Sequence, residues 1–111
     1  MQSDTFDFRM QTGVFHMNLY HLRYFVTLAK MQHYTKAAEQ LCITQPSLSH
    51  AISSLEKEMG VKLFEKEGRN IVLTKCGTEF LKEVERSLEI LDNSVTHIKA
   101  FGSGDGRLDI A

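Results

Sequence analysis

The chain has 111 residues, of which 42% are hydrophobic and 24% are charged, and its formal net charge is -1. This length suits one domain with an extension, and the ordinary composition excludes a chain that is disordered throughout. No apolar run approaches the roughly 18 residues that a membrane-spanning helix needs, so we expect a protein that does not contact a membrane.

Residues 1–16 show no clear periodicity and are predicted to form a flexible N-terminal extension. Acidic residues stand where a secretory signal peptide needs basic and then apolar residues, so we do not expect secretion. Cys42 and Cys76, the only cysteines, have no metal-binding spacing and suit free thiols in a reducing compartment. We therefore expect a cytoplasmic protein.

Helical periodicity begins at Met17. Apolar residues at Leu19, Leu22, Val26 and Ala29 recur at the spacing of one helix face. They predict a first helix over residues 19–31.

The stretch Thr35–Met59 is typical of two short helices joined by a tight turn, a helix-turn-helix at about residues 34–53. Its apolar positions are Ala37, Ala38 and Leu41 in the first helix and Leu48, Ile52, Leu55 and Met59 in the second. Thr35 and Thr44 are the predicted N-caps, and Pro46 fits the first turn of the second helix. Gly60 is predicted to end that helix in a left-handed conformation.

The outward face of the second helix carries hydrogen-bonding residues instead of the Glu and Lys of an ordinary solvated face. They are Gln45, Ser47, Ser49, His50, Ser53 and Ser54. A solvated surface explains any one serine, but the cluster after a Thr-Gln-Pro start favours a helix that approaches double-stranded DNA. Gln45 has the groups to pair with N6 and N7 of adenine, and serines reach bases or phosphates.

The alternative is a winged-helix module that serves protein–protein contacts and dimerisation without reading DNA. A protein interface would usually show aromatic or Met anchors on this helix face. The serine-rich face therefore favours DNA.

A small hairpin is predicted after the helix-turn-helix. Its strand candidates are residues 62–66 and 70–74, separated by a turn of Glu67, Gly68 and Arg69. A hairpin directly after such a helix is a wing, here about residues 62–74, with Arg69 at or near its tip. Residues 17–74 are therefore predicted to form a winged helix-turn-helix.

The charges are distributed unevenly along the chain. Residues 17–75 contain eight Lys or Arg and five Asp or Glu, which gives +3. Residues 76–111 contain four Lys or Arg and seven Asp or Glu, which gives -3, and residues 1–16 add -1. The half that carries the helix-turn-helix is thus the basic half, which supports nucleic-acid binding modestly.

A long helix is predicted at residues 75–101, with Thr74 as its N-cap. An apolar heptad seam runs along it, formed by Leu81, Val84, Leu88, Leu91, Val95 and Ile98. This helix would be about 39 Å long, too long to pack entirely on so small a domain. We expect the seam to pair with a second copy, and the alternative is a helix that lies against its own domain.

Residues 102–111 are predicted to be a hinge and the start of a further domain. GSGDG, residues 102–106, has the composition of a flexible break. RLDIA then alternates polar and apolar residues like a first strand, which would need a partner strand from elsewhere.

No pattern in the sequence indicates an enzyme. The five histidines are scattered, and none has the spacing of a metal or catalytic motif. The chain also lacks a nucleophile elbow, a P-loop and a dinucleotide-binding glycine pattern. We expect no catalytic activity, no metal and no cofactor.

The run from Leu19 to Leu81 resembles the N-terminal DNA-binding region of LysR-type transcriptional regulators. The matching segments are LYHLRYFVTLAK, YTKAAEQLCITQPSLSHAISSLEKEMGVKLFEK and GRNIVLTKCGTEFL. The long helix and the ending GRLDIA match as well, since that family connects its DNA-binding domain through a linker helix to an effector-binding domain. The resemblance implies a homodimer on operator DNA, tetramers of the full-length protein, and a small-molecule effector sensed by the missing domain.

Carried over by position, the resemblance implies that Gln45, Pro46, Ser47, Ser49 and His50 form the DNA-facing start of the recognition helix. It implies that Thr35 lies near a phosphate and that Arg69, in the wing, lies against the backbone or minor groove. Lys66 is expected to contact a phosphate as well, which would set register without reading sequence. The family usually has Arg at the positions of His50 and Lys66. Arg holds guanine or phosphate through two parallel bonds, so we expect a different operator preference here.

Overall fold

The computed structural model of the protein describes residues 17–103. The predictions for residues 1–16 and 104–111 lie outside this range. The described elements are α1 (Leu19–Met31), α2 (Tyr34–Leu41), α3 (Gln45–Met59), β1 (Phe64–Glu67), β2 (Asn70–Leu73) and α4 (Lys75–Gly102). The fold is thus mainly helical, with a two-stranded sheet before a long C-terminal helix, which confirms the predicted class.

Local capping explains where most helices begin and end. Thr44 caps α3 by accepting a hydrogen bond from the Ser47 amide at 3.1 Å, and Gly60 ends α3 at φ +71°. The prediction that Thr35 caps α2 is wrong. His33 has the extended backbone of an N-cap, and its Nδ1 accepts from the Lys36 amide at 3.2 Å. Thr35 therefore lies inside the first turn, where its hydroxyl is available to another element.

The core lies where α1, α2, α3 and the first half of α4 meet the base of the hairpin. Its largest fully buried side chains are Phe25, Leu28, Leu48, Ile52, Leu55 and Leu63. The Phe25 ring lies 5.5 Å from the ring of Phe64 and 5.2 Å from that of Phe80. These aromatic contacts attach both the hairpin and α4 to α1.

The hairpin is tighter than predicted. β1 and β2 pair antiparallel out to Glu67 opposite Asn70, so the turn contains only Gly68 and Arg69. Gly68 has φ +66°, a left-handed conformation that glycine adopts without strain. Glu67 belongs to β1 because it still pairs across the hairpin, and Arg69 lies in the turn as predicted.

The hairpin is anchored at its base by side-chain hydrogen bonds. The Glu56 carboxylate, on α3, accepts from the amide of Leu63 at 2.8 Å. The Thr74 hydroxyl donates to the carbonyl of Lys62 at 2.7 Å and accepts from the Gly77 amide at 3.0 Å. The orientation of the wing is therefore coupled to the end of α3 and the start of α4.

The heptad seam of α4 divides into two parts. Val84 and Leu88 are buried in the core of this chain, and Leu81 packs against that core. This is contrary to the prediction that they face a second copy. Leu91, Val95 and Ile98 are 40%, 45% and 61% exposed. At ~1.5 Å per residue, the 28 residues of α4 span about 42 Å, so its second half extends beyond the domain.

Two ion pairs align the middle of α4 with α1. Arg23 lies 2.9 Å from Asp92, and Lys30 lies 2.7 Å from Glu85. All four side chains are well exposed, so each pair contributes little to stability and mainly sets orientation. Among residues 17–103, no helix has both the length and the apolar character needed to cross a membrane.

Candidate nucleic-acid interface

The first turns of α3 present the polar face that the sequence predicts. The side chains of Gln45, Pro46, Ser47, Ser49, His50 and Ser53 are exposed, whereas Ser54 is half-buried. The opposite face, formed by Leu48, Ala51, Ile52 and Leu55, is buried in the core. Burial of that face fixes the rotation of α3, so the hydrogen-bonding residues project into solvent.

Two threonines contact the side chains at the start of α3. The Thr35 hydroxyl donates to Oε1 of Gln45 at 2.9 Å, across the two helices of the helix-turn-helix. The Thr44 hydroxyl lies 2.9 Å from Oγ of Ser47 and donates to it. Both contacts order polar side chains that would otherwise move freely at a helix surface.

A cleft of about 490 Å³ joins the helix-turn-helix to the wing. It brings together four of the predicted site residues, Thr35, Gln45, Lys66 and Arg69. At this cleft the Ile71 amide, on β2, donates a hydrogen bond of 3.5 Å to the Gln32 carbonyl. The wing and the start of α3 therefore line one continuous surface.

The cations at this surface are not paired with acidic side chains of the described residues. Within residues 17–103, Lys36, Lys66 and Arg69 make no ion pair, whereas Lys82 pairs with Glu79 and Arg86 pairs with Glu83. Side chains alternate along a strand, so Glu65 and Glu67 leave β1 on the face opposite Lys66. Lys66 therefore carries an unpaired positive charge on the cleft that Gln45 also lines.

Sequence analysis missed several polar residues at this surface, among them Gln32, Asn70 and Lys36. Gln32 and Asn70 line the cleft, but nothing in the sequence connects the turn after α1 with the wing, because their contact is tertiary. Lys36 is exposed in the first turn of α2. Lys36 could have been predicted from the sequence, because it directly follows Thr35, which was itself a predicted site residue.

His50 has a histidine neighbour on α1. Burial lowers the pKa of His21, and the positive charge of His50 lowers it further. The His21 ring also lies 6.2 Å from the ring of Tyr24. The charged form of His21 is therefore disfavoured at this edge of the interface.

The exposed half of α4 forms a second apolar surface. Besides Leu91, Val95 and Ile98, it exposes Ile90 and Phe101, at 60% and 54%. These two residues lie outside the heptad seam, so the periodicity did not identify them. Within residues 17–103, no group of His, Cys, Asp and Glu side chains could hold a metal ion.

Comparison with known proteins identifies one family. The model of the family described as "Bacterial regulatory helix-turn-helix protein, lysR family" matches residues 19–78. The chain is 46% identical over 80 residues to the uncharacterized HTH-type transcriptional regulator YybE of Bacillus subtilis (strain 168), covering 72% of this chain and 27% of YybE. It is 41% identical over 87 residues to the HTH-type transcriptional regulator BenM of Acinetobacter baylyi (strain ATCC 33305 / BD413 / ADP1), covering 78% and 29%.

The fold is also similar to solved structures. Superposition on the crystal structure of a BenM_DBD/catB site 1 DNA complex gives a TM-score of 0.76 at 42% identity. The match covers 79% of this chain and 98% of that one. The chain thus spans less than a third of the length of YybE and of BenM but nearly all of the length of this structural neighbour.

Proposed function

This chain belongs to the LysR family of bacterial regulatory helix-turn-helix proteins, and from that membership we propose that it binds double-stranded operator DNA as part of a transcriptional regulator. The named relatives are transcriptional regulators, and the proposed function involves no catalysis. Its place of action is the cytoplasm, where bacterial DNA lies.

The observation that carries the proposal is the cleft between α3 and the wing. Hydrogen-bonding side chains at the start of α3 and the unpaired cations Lys66 and Arg69 lie on the same surface. A surface for DNA needs both, because phosphate contacts supply affinity and register while base contacts supply sequence preference. An apolar surface for a protein partner would lack this combination.

In the proposed complex, α3 lies in the major groove. Gln45, Ser47, Ser49 and His50 face base edges, and Pro46 shapes the turn that brings them there. Thr35, Lys66 and Arg69 lie toward phosphates, with Arg69 at the tip of the wing. Ser53 lies further along the exposed face of α3, and the half-buried Ser54 contributes least.

We propose that the exposed half of α4 pairs with a second copy of the chain. Leu91, Val95 and Ile98 continue the seam beyond the domain, and contiguous apolar exposure of this kind marks an association surface. Two linked winged domains would read two half-sites at a spacing set by the dimer. In a longer protein, a further domain would sense a small effector, and tetramers could form.

The proposal is tested by binding to a labelled duplex from upstream of the gene for this chain, against a scrambled duplex, over a salt titration. We expect preference for the native duplex and an affinity that falls steeply as salt rises. Arg69→Ala should reduce the slope of log affinity against log salt by about one phosphate contact.

Arg86→Ala is the matched control, because Arg86 lies on α4 and pairs with Glu83. It should leave the salt slope unchanged. Weak binding to both duplexes, with an affinity that does not change with salt concentration, would overturn the proposal in favour of a protein-interaction module.

A further inference from the structure

The start of α3 holds a glutamine whose amide is already oriented. Oε1 of Gln45 accepts the hydroxyl hydrogen of Thr35 at 2.9 Å, although ten positions separate the two residues. Nε2 of Gln45 makes no hydrogen bond within residues 17–103. The amide therefore has its acceptor engaged with α2 and its two N–H donors available.

The side chain of Ser47 is also held by a hydrogen bond from a threonine. Thr44 donates its hydroxyl hydrogen to Oγ of Ser47, which leaves the hydroxyl hydrogen of Ser47 available for another acceptor. The backbone of this turn adds little, because Pro46 has no N–H and the Ser47 amide already donates to Thr44. The side chains of Gln45 and Ser47 therefore both present hydrogen-bond donors at the exposed start of α3.

We propose that Thr35 is a positioning residue for base reading, which holds Gln45 so that Nε2 meets a hydrogen-bond acceptor on a base edge. This inference rests on the proposed DNA binding and adds the chemistry of the base atom. In the major groove the acceptors are N7 of either purine, O6 of guanine and O4 of thymine. Thr35 contributes sequence preference through Gln45, beyond any phosphate contact of its own.

The physical reason is pre-organisation. A free glutamine amide can rotate by half a turn and offer either a donor or an acceptor, so it discriminates poorly between bases. It also loses side-chain entropy when it is fixed on the DNA. The hydrogen bond from the Thr35 hydroxyl fixes the amide orientation and removes this entropy loss on binding. Loss of the hydroxyl should reduce the ratio of affinities for the preferred and the altered base pair by roughly three- to tenfold, the effect of one ordinary hydrogen bond.

The test begins with selection of duplexes from a randomised library by the unaltered chain. Gln45→Ala then identifies the base pair that Gln45 reads. Equilibrium binding to the selected duplex and to duplexes changed at single base pairs is measured for Thr35→Val and Thr35→Ser. Thr96→Val, an exposed threonine on α4, is the matched control.

We expect Thr35→Val to lose discrimination at the base pair read by Gln45 and to keep it at the others. Thr35→Ser and Thr96→Val should behave like the unaltered chain, since Ser retains the hydroxyl. Gln45→Glu offers only acceptors to the DNA, so it should shift the preference at this base pair toward an amino group of cytosine or adenine.

Two results would overturn the inference while leaving DNA binding intact. Thr35→Val could keep full discrimination at that base pair, or it could weaken binding to every duplex equally with a smaller salt slope, as a simple phosphate contact would. Failure of the unaltered chain to select any duplex would instead overturn the proposed function, and the inference with it.

Discussion

The hydroxyl of Thr74 donates a hydrogen bond of 2.7 Å to the carbonyl of Lys62. This bond connects the first residue after β2 to the segment that precedes β1. The Thr74 amide adds a second bond, to the carbonyl of Leu63 at 2.9 Å. The same hydroxyl oxygen accepts from the Gly77 amide at the start of α4. One side chain thus closes the hairpin and caps the linker helix.

Replacing Thr74 should therefore destabilise the domain more than an ordinary cap substitution. We expect Thr74→Val to lower the free energy of unfolding by about 1–2 kcal/mol, because both the N-cap of α4 and the hydrogen bond to Lys62 are lost. Urea denaturation followed by circular dichroism measures this change. Thr78→Val is the control, since its hydroxyl bonds only to a carbonyl one helical turn earlier, and it should cost under about 0.5 kcal/mol.

Gly77 should not tolerate a methyl group. A Cβ built at Gly77 overlaps the carbonyl oxygen of Leu63 and lies 2.9 Å from Cδ2 of Leu73. Gly77→Ala should destabilise the domain by about 1–3 kcal/mol even though alanine favours helices, because the wing must move away from α4. Gly102→Ala meets no atom within 4 Å and should leave stability equal or slightly higher. Equal unfolding midpoints for the two variants would contradict the close approach.

Charges on the exposed half of α4 should separate association from folding. The double change Leu91→Glu and Ile98→Glu should give a monomer with an intact winged domain, because both side chains are exposed in the single chain. Light scattering reports the mass, and circular dichroism reports the fold. Leu88→Glu should instead unfold the domain, since Leu88 is only 8% exposed and a buried unpaired charge is costly. A dimer that survives the double change would place the association surface elsewhere.

Stability should fall as the pH drops through the range where histidine titrates. Burial and the charge of His50 hold the pKa of His21 below its ordinary value of 6.5. The unfolded chain therefore binds a proton at His21 more readily than the folded chain does. The contribution of neutral His21 to the free energy of unfolding is present above pH 6.5 and is lost as the pH falls below that value. The urea midpoint of the unaltered chain should therefore fall relative to that of His21→Gln as the pH drops below 6.5. Thr96→Val, which removes no titratable group from the exposed end of α4, should keep the pH dependence of the unaltered chain.

Local signals predicted many of the elements but not every helix start. The apolar spacing from Leu19 to Ala29 predicted the bounds of α1, and the caps Thr44 and Thr74 were predicted from side-chain chemistry alone. Such signals work because a cap acts over three residues and a helix face repeats along one segment. Thr35 failed as a cap because His33, two residues earlier, adopts the extended backbone first.

The sequence by itself determined that the chain forms a winged helix-turn-helix with a polar, serine-rich face on α3. Only the tertiary structure decided which partners those residues meet. A heptad of apolar residues predicts that one helix face is buried, but it does not predict which surface buries that face. Val84 and Leu88 are therefore assigned to the core only by the packing of α4 on α1. In the same way, Thr35 meets Gln45, and Lys66 and Arg69 join the cleft, because packing fixes distances between segments that the chain order leaves free.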